Sequence, residues 1–200
     1  MLTVSSDDAG IDKAVDALRA GQIIAYPTET VYGLGVDPEN ETAINALYDV
    51  KGRELEKKLI LIVSSVDQLQ RYVDDLSETE EKLVRSFWPG PLSLLFSPSA
   101  GTPDYLLGDT GKICIRQTSD SVAASICESF GRAIVSTSAN LSGNDPAKNA
   151  GSVEVPGVVV CIDGGESGDV SPSTIYDTET GAVIRHGEIS AEMIEKALVT

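Results

Sequence analysis

Short apolar runs alternate with helical stripes along this chain, and that alternation limits it to a sheet covered by helices. Residues 23–26, 59–63, 92–96, 113–116, 133–136, 158–162, 173–177 and 183–186 read as strands. Ile11, Ala14, Val15 and Leu18 recur at helical spacing, after Asp7 and Asp8 and before Gly21. Ala43, Ile44, Leu47 and Tyr48 form a second stripe that leads to Lys51. Further helices are expected through Val66, Leu69 and Val73, and from Ser77 with Glu80 three residues on. Another runs through Val122, Ala123, Ile126, Cys127 and Phe130 to Gly131, and a last begins at about Ser190. Trp88-Pro89-Gly90-Pro91 forces a turn. The fold class is therefore α/β, and 200 residues with 42% hydrophobic content suit one domain spanning 1–200.

The apolar runs 59–63 and 158–162 fall far below the roughly 20 residues that a membrane-spanning helix needs. Asp7 and Asp8 stand where a signal peptide would carry positive charge, so a cytoplasmic location is expected. Cys114, Cys127 and Cys161 show neither a metal-ligand spacing nor an even disulfide set, and are expected as small buried hydrophobes. A net charge of -16 repels a nucleic-acid backbone, which excludes general RNA binding by the whole surface. The basic residues are unevenly placed, however. Lys51, Arg53, Lys57 and Lys58 are four of the fifteen and fall within eight positions. On charge alone they read as a solvated loop balanced by Glu54 and Glu56, or as a first functional hint.

Common nucleotide signatures are missing: there is no Gly-rich run ending in Gly-Lys-Ser/Thr, and Gly33-Leu34-Gly35 does not continue as a dinucleotide fingerprint. A phosphate site must be built differently, and three segments could build one. Tyr26-Pro27-Thr28-Glu29-Thr30-Val31-Tyr32-Gly33-Leu34-Gly35 reads as a loop after a strand. Its hydroxyls and N–H groups would emerge at the strand's carboxyl end, or serve ordinary turn chemistry with glycines at φ > 0. Lys51-Gly52-Arg53 closes a helix, and if that turn is extended the two cations project from one side and could grip a polyphosphate. Ser136-Thr137-Ser138-Ala139-Asn140-Leu141-Ser142-Gly143, read as a loop after 133–135, could wrap an anion or cap a helix. The Gly- and Ser-rich stretch 164–173 is expected to be mobile.

In this order and at these separations, the three segments resemble the YrdC/TsaC-like threonylcarbamoyl-AMP synthases. Further matches are Trp88-Pro89-Gly90-Pro91-Leu92, Ile115-Arg116, Asp163-Gly164-Gly165, Ser173-Thr174-Ile175 and Arg185 before Gly187. The resemblance runs from about Ile11 to Gly187, with the short form expected, without the extra C-terminal domain of longer members. Glu54 and Lys58 stand where the family usually has proline, and Asp120 where it often has histidine.

The resemblance implies a YrdC-like fold: a twisted mixed β-sheet flanked by helices, with a concave basic nucleotide-binding groove. It implies synthesis of threonylcarbamoyl-AMP and pyrophosphate from ATP, L-threonine and bicarbonate, for N6-threonylcarbamoyladenosine in tRNA. Lys51 and Arg53 would be catalytic. ATP would be held by Lys51, Arg53, Lys57, Ser136, Ser138, Asn140 and Arg185. Threonine would be held by Thr28, Tyr32, Arg116 and Ser173, with Arg116 pairing bidentately with its α-carboxylate. Mg²⁺ would arrive with ATP, with no prosthetic group and no metal ligand from the chain. A tRNA-modifying transfer complex (TsaB/TsaD/TsaE-like) would accept the product, with weak or indirect tRNA contact and no membrane. Two rival readings are a non-catalytic RNA-binding YrdC/YciO-like protein and a serine hydrolase using His186, which lacks a Gly-x-Ser-x-Gly elbow.

Overall fold

Helix starts and stops follow the local chemistry closely. In this computed structural model, which describes residues 1–52, 59–167 and 171–199, Asp7 accepts a hydrogen bond from Gly10 N at 2.9 Å and opens α1 (Asp8–Arg19). Asn40 does the same for α2 (Glu41–Lys51), which Gly52 closes in the left-handed conformation at φ 61°. Ser77 and Glu80 form a full capping box on α4 (Glu78–Phe87). Asp120 caps α5 (Ser121–Phe130), and α6 (Ala191–Val199) follows Ser190. The helix expected through Val66 to Val73 shortens to a single turn, α3 (Val66–Leu69). There the chain tightens, with Tyr72 N and Val73 N both donating to Leu69 O.

Ten strands pair into one mixed sheet, in the order β1-β8-β2-β3-β7-β4-β6-β5-β9-β10. The central ones are β2 (Ile23–Tyr26), β3 (Gly33–Val36), β7 (Ile134–Ser138), β4 (Ile60–Val63) and β6 (Ile113–Gln117). β8 (Val158–Asp163) and β1 (Leu2–Ser5) complete one side; β5 (Leu92–Phe96), β9 (Thr174–Asp177) and β10 (Ala182–Arg185) complete the other. Two strands were not expected. β1 is a short, largely exposed edge strand. β3 carries two glycines, yet it pairs antiparallel with both β2 and β7, so 33–35 is strand and not loop. Likewise Ser136 and Ser138 belong to β7, which runs past the expected strand end at the expense of the predicted loop.

Alternation along each strand feeds two cores. Ile24, Tyr26, Ile62 and Ile134 pack under α1 and α5, while Ala25, Leu34, Leu61 and Val135 face the larger core on the α2 side. The three cysteines are buried and free, as small hydrophobes. Burial pushes the Cys127 thiol up to about 12 and the Cys161 thiol up to about 11, so neither is a ready nucleophile. Among the described residues, no helix is long and apolar enough to cross a membrane.

Candidate functional site

A cavity of about 230 Å³ opens where the β2–β3 connection, β7, the end of β6 and the β9–β10 edge meet. Its wall includes seven of the residues expected at a site: Thr28, Tyr32, Arg116, Ser136, Ser138, Ser173 and Arg185. Arg53 and Lys57, with Glu54 and Lys58, lie outside the described residues, as does 168–170 within the stretch expected to be mobile. Among the described lining residues, the charged ones are Arg116 and Arg185.

The wall is built from local hydrogen bonds. Thr28 Oγ1 donates to Val31 O at 2.6 Å, lies 3.0 Å from Thr30 Oγ1 and receives Thr30 N, so the connection after Pro27 is a closed turn. Tyr32 opens β3, and its phenol receives Gly164 N at 3.0 Å and donates to Gly165 O at 2.9 Å. It therefore ties the 164–165 stretch down. Burial raises its pKa, with the Gly164 N–H opposing.

Lys51 ends up beneath the wall and not in solvent. It is 2% exposed, and its Nζ donates to Ser138 O at 2.6 Å and to Asn140 Oδ1 at 2.8 Å. Ser138 Oγ donates to the same Asn140 oxygen at 2.6 Å, and Ser142 N returns to Lys51 O. The last turn of α2 and the loop after β7 are thus one network, as their separate motifs suggested. Gly52 itself is left-handed and not extended. Asn140 sits in this network behind Ser138.

Arg185 reaches across the far edge. Its Nε donates to Ser173 O at 3.0 Å and its Nη2 to Ser173 Oγ at 2.7 Å, while Ser173 Oγ lies 2.9 Å from buried Ser93 Oγ. Burial lowers the Arg185 pKa, and Arg116 pushes it the same way. His186, the next residue, is exposed and does not line the cavity.

Arg116 is 4% exposed, at the end of β6. Its Nη1 donates to Glu29, so it has the carboxylate partner of a structural ion pair. Its Nε is nonetheless buried without a hydrogen-bond partner among the described residues. Glu29, Thr30, Ser93 and Thr118 were not singled out from the sequence. Glu29 and Thr30 lie inside a segment that was, but the partners of Glu29, Arg116 and Thr118, come from 87 and 89 residues away and leave no local pattern.

Known proteins resemble this chain in sequence and in fold. A family model described as "Telomere recombination", that of the Sua5–yciO–yrdC family, matches residues 16–187. A threonylcarbamoyl-AMP synthase of Enterobacter sp. (strain 638) is 40% identical over 182 residues, 88% of this chain and 95% of that protein. The crystal structure of P. abyssi Sua5 complexed with L-threonine superposes with a TM-score of 0.90 at 32% identity, over 98% of this chain. This chain spans only 59% of that longer protein. E. coli YciO gives a TM-score of 0.81 at 24% identity over 95% of this chain and 97% of its own, a likeness of fold alone. With a family model covering most of its length and a relative of this identity, the chain belongs to the Sua5–yciO–yrdC family.

Proposed function

We propose that this chain is an L-threonylcarbamoyladenylate synthase, a nucleotidyltransferase acting in tRNA modification. The amine of L-threonine adds to bicarbonate with loss of water, giving a carbamate. A carbamate oxygen then attacks the α-phosphorus of Mg²⁺-bound ATP, the α–β bridging bond breaks, and pyrophosphate leaves. Such a transfer asks a protein for positioning and for cations where charge develops, not for a nucleophile of its own. That suits a cavity whose described wall offers hydroxyls and two guanidinium groups.

Arg116 carries the reading. A buried guanidinium N–H without a partner costs roughly 1–3 kcal/mol, a cost that a ligand carboxylate in the adjoining cavity would offset. In this reading Arg116 takes the threonine carboxylate, beside Thr28, Tyr32 and Ser173. Ser136, Ser138 and Arg185 face the nucleotide, and the Lys51–Asn140 network holds Ser138 in place. Arg53 and Lys57 supply the remaining cations of a basic groove, with Arg53 acting on the triphosphate and Lys51 acting through Ser138. Magnesium enters as part of the substrate, since this ion keeps waters and phosphates as its partners. The product passes in the cytoplasm to a TsaB/TsaD/TsaE-like transfer complex.

Incubation with ATP, Mg²⁺, bicarbonate and single amino acids, read by mass spectrometry, tests this. A threonine-dependent carbamoyl adenylate with matching pyrophosphate is expected. No adenylate, together with salt-sensitive RNA binding, would establish the non-catalytic alternative, which a net charge of -16 disfavours.

A further inference from the structure

A guanidinium has two edges able to meet a carboxylate, and which edge Arg116 offers is decided by Glu29. Arg116 Nη1 is taken by Glu29 Oε1, while Thr118 Oγ1 donates to the other oxygen, Oε2, at 2.7 Å. Arg116 in β6 and Thr118 just past its end are two residues apart, and both side chains meet the same carboxylate. Thr118 is itself fixed: its N donates to Val63 O at 3.2 Å, and its hydroxyl receives Asp120 N at 3.1 Å. The carboxylate is therefore clamped on both oxygens, with its side chain 13% exposed and that of Arg116 5%. Glu29 does not line the cavity; Arg116 does.

We propose that Glu29 is a positioning residue: by occupying Nη1 it turns the Nε/Nη2 edge of Arg116 into the fork that receives the substrate carboxylate. The unpartnered Nε belongs to that remaining edge. The arrangement is not a by-product of sheet pairing. β2, which leads into Glu29, and β6, which carries Arg116, stand four places apart in the strand order, about 19 Å at ~4.8 Å per strand in a flat sheet. The 27–32 connection has to fold across the intervening strands to close the gap, and that brings Thr28 and Thr30 into the wall. One carboxylate thus registers the threonine-facing turn against the arginine.

This inference rests on the reading of Arg116 as the carboxylate receptor, and the test separates the two. Glu29→Asp keeps the charge but is too short to span both partners; Glu29→Gln keeps the span and loses the charge. Threonine affinity is measured by calorimetry, KM for ATP by pyrophosphate release, and folding by thermal melts. Glu29→Asp is expected to weaken threonine binding about tenfold and Glu29→Gln no more than about threefold, with KM for ATP within about twofold in both. Equal threonine affinity in both variants and the parent would overturn the inference while leaving the activity standing. So would a larger loss in Glu29→Gln than in Glu29→Asp, since charge and not position would then matter. Absence of threonine binding by the parent protein itself would instead remove the underlying reading.

Discussion

Tyr26 dictates what can stand opposite it. Its ring is fully buried and lies across the neighbouring strand, where its cross-strand partner is Gly33 and the next position on that face is Gly35. A Cβ on Gly35 would lie 2.8 Å from Tyr26 Cε1 and 3.3 Å from Ile24 Cγ1, and a buried ring has little room to retreat. Gly35→Ala should therefore destabilise by about 1–3 kcal/mol through overpacking. Gly101→Ala, where the new Cβ meets nothing within 4 Å, should be nearly neutral. Urea melts of both variants check this, and equal midpoints would mean that the Tyr26 ring moves freely. The sequence showed these glycines but not the reason for them. Of the two roles open to that segment, turn chemistry at φ > 0 does not hold for these glycines: neither has a positive φ and both are small for the sake of an aromatic ring. Lys51 was legible as a candidate cation for the same site. Its burial beneath Ser138 was not, because the acceptors arrive from 87 and 89 residues away.

Helices were more legible than strands, since their caps are spelled out in neighbouring residues. Asp7, Ser77 with Glu80, and Gly131 each marked a boundary that the fold keeps. The strands missed were β1, whose four residues are mostly exposed at an edge, and β3, whose glycines argue against a strand until Tyr26 is placed over them. Asp120 shows how a cap can serve both a helix and the site. It accepts from Val122 N and Ala123 N at 2.9 Å each, and its own N–H supports Thr118. Asp120→Ala should cost about 1 kcal/mol. For a chain of this length that is roughly 2–4 °C in Tm. Burial raises the pKa of this carboxyl, with the capping N–H groups and Arg116 pulling down and Glu29 pushing up. The folded state then keeps the proton to higher pH than the unfolded chain does. Its contribution to stability is full below the unfolded value and declines as pH rises through the raised one. Asp120→Asn caps without titrating, so its Tm relative to the parent should improve over the range of pH rising from about 4. A constant difference across that range would show that Asp120 titrates alike in both states.

At the scale of the whole molecule, the site gathers residues from most of the chain, from Thr28 to Arg185, onto one mixed sheet. The chain carries 31 acidic residues against 15 basic ones. Self-repulsion at a net charge of -16 opposes compaction, and it is least screened at low salt, where the Debye length exceeds ~10 Å below about 0.1 M. The ion pairs work the other way, but several among the described residues, such as Arg19–Asp16 and Lys82–Glu78, are exposed and contribute little. Two pairs buried among the described residues, Arg116–Glu29 and Lys112–Asp177, are shielded from counterions by the protein itself. Screening should therefore relieve more repulsion than it removes attraction. Raising NaCl from about 20 mM to about 500 mM is expected to stabilise the fold by on the order of 1 kcal/mol, a rise of a few degrees in Tm. NaCl is the appropriate salt because sulfate would strengthen apolar burial independently of charge. Melts at fixed pH across that series decide the matter: a flat or falling Tm would mean that local pairs outweigh the global charge.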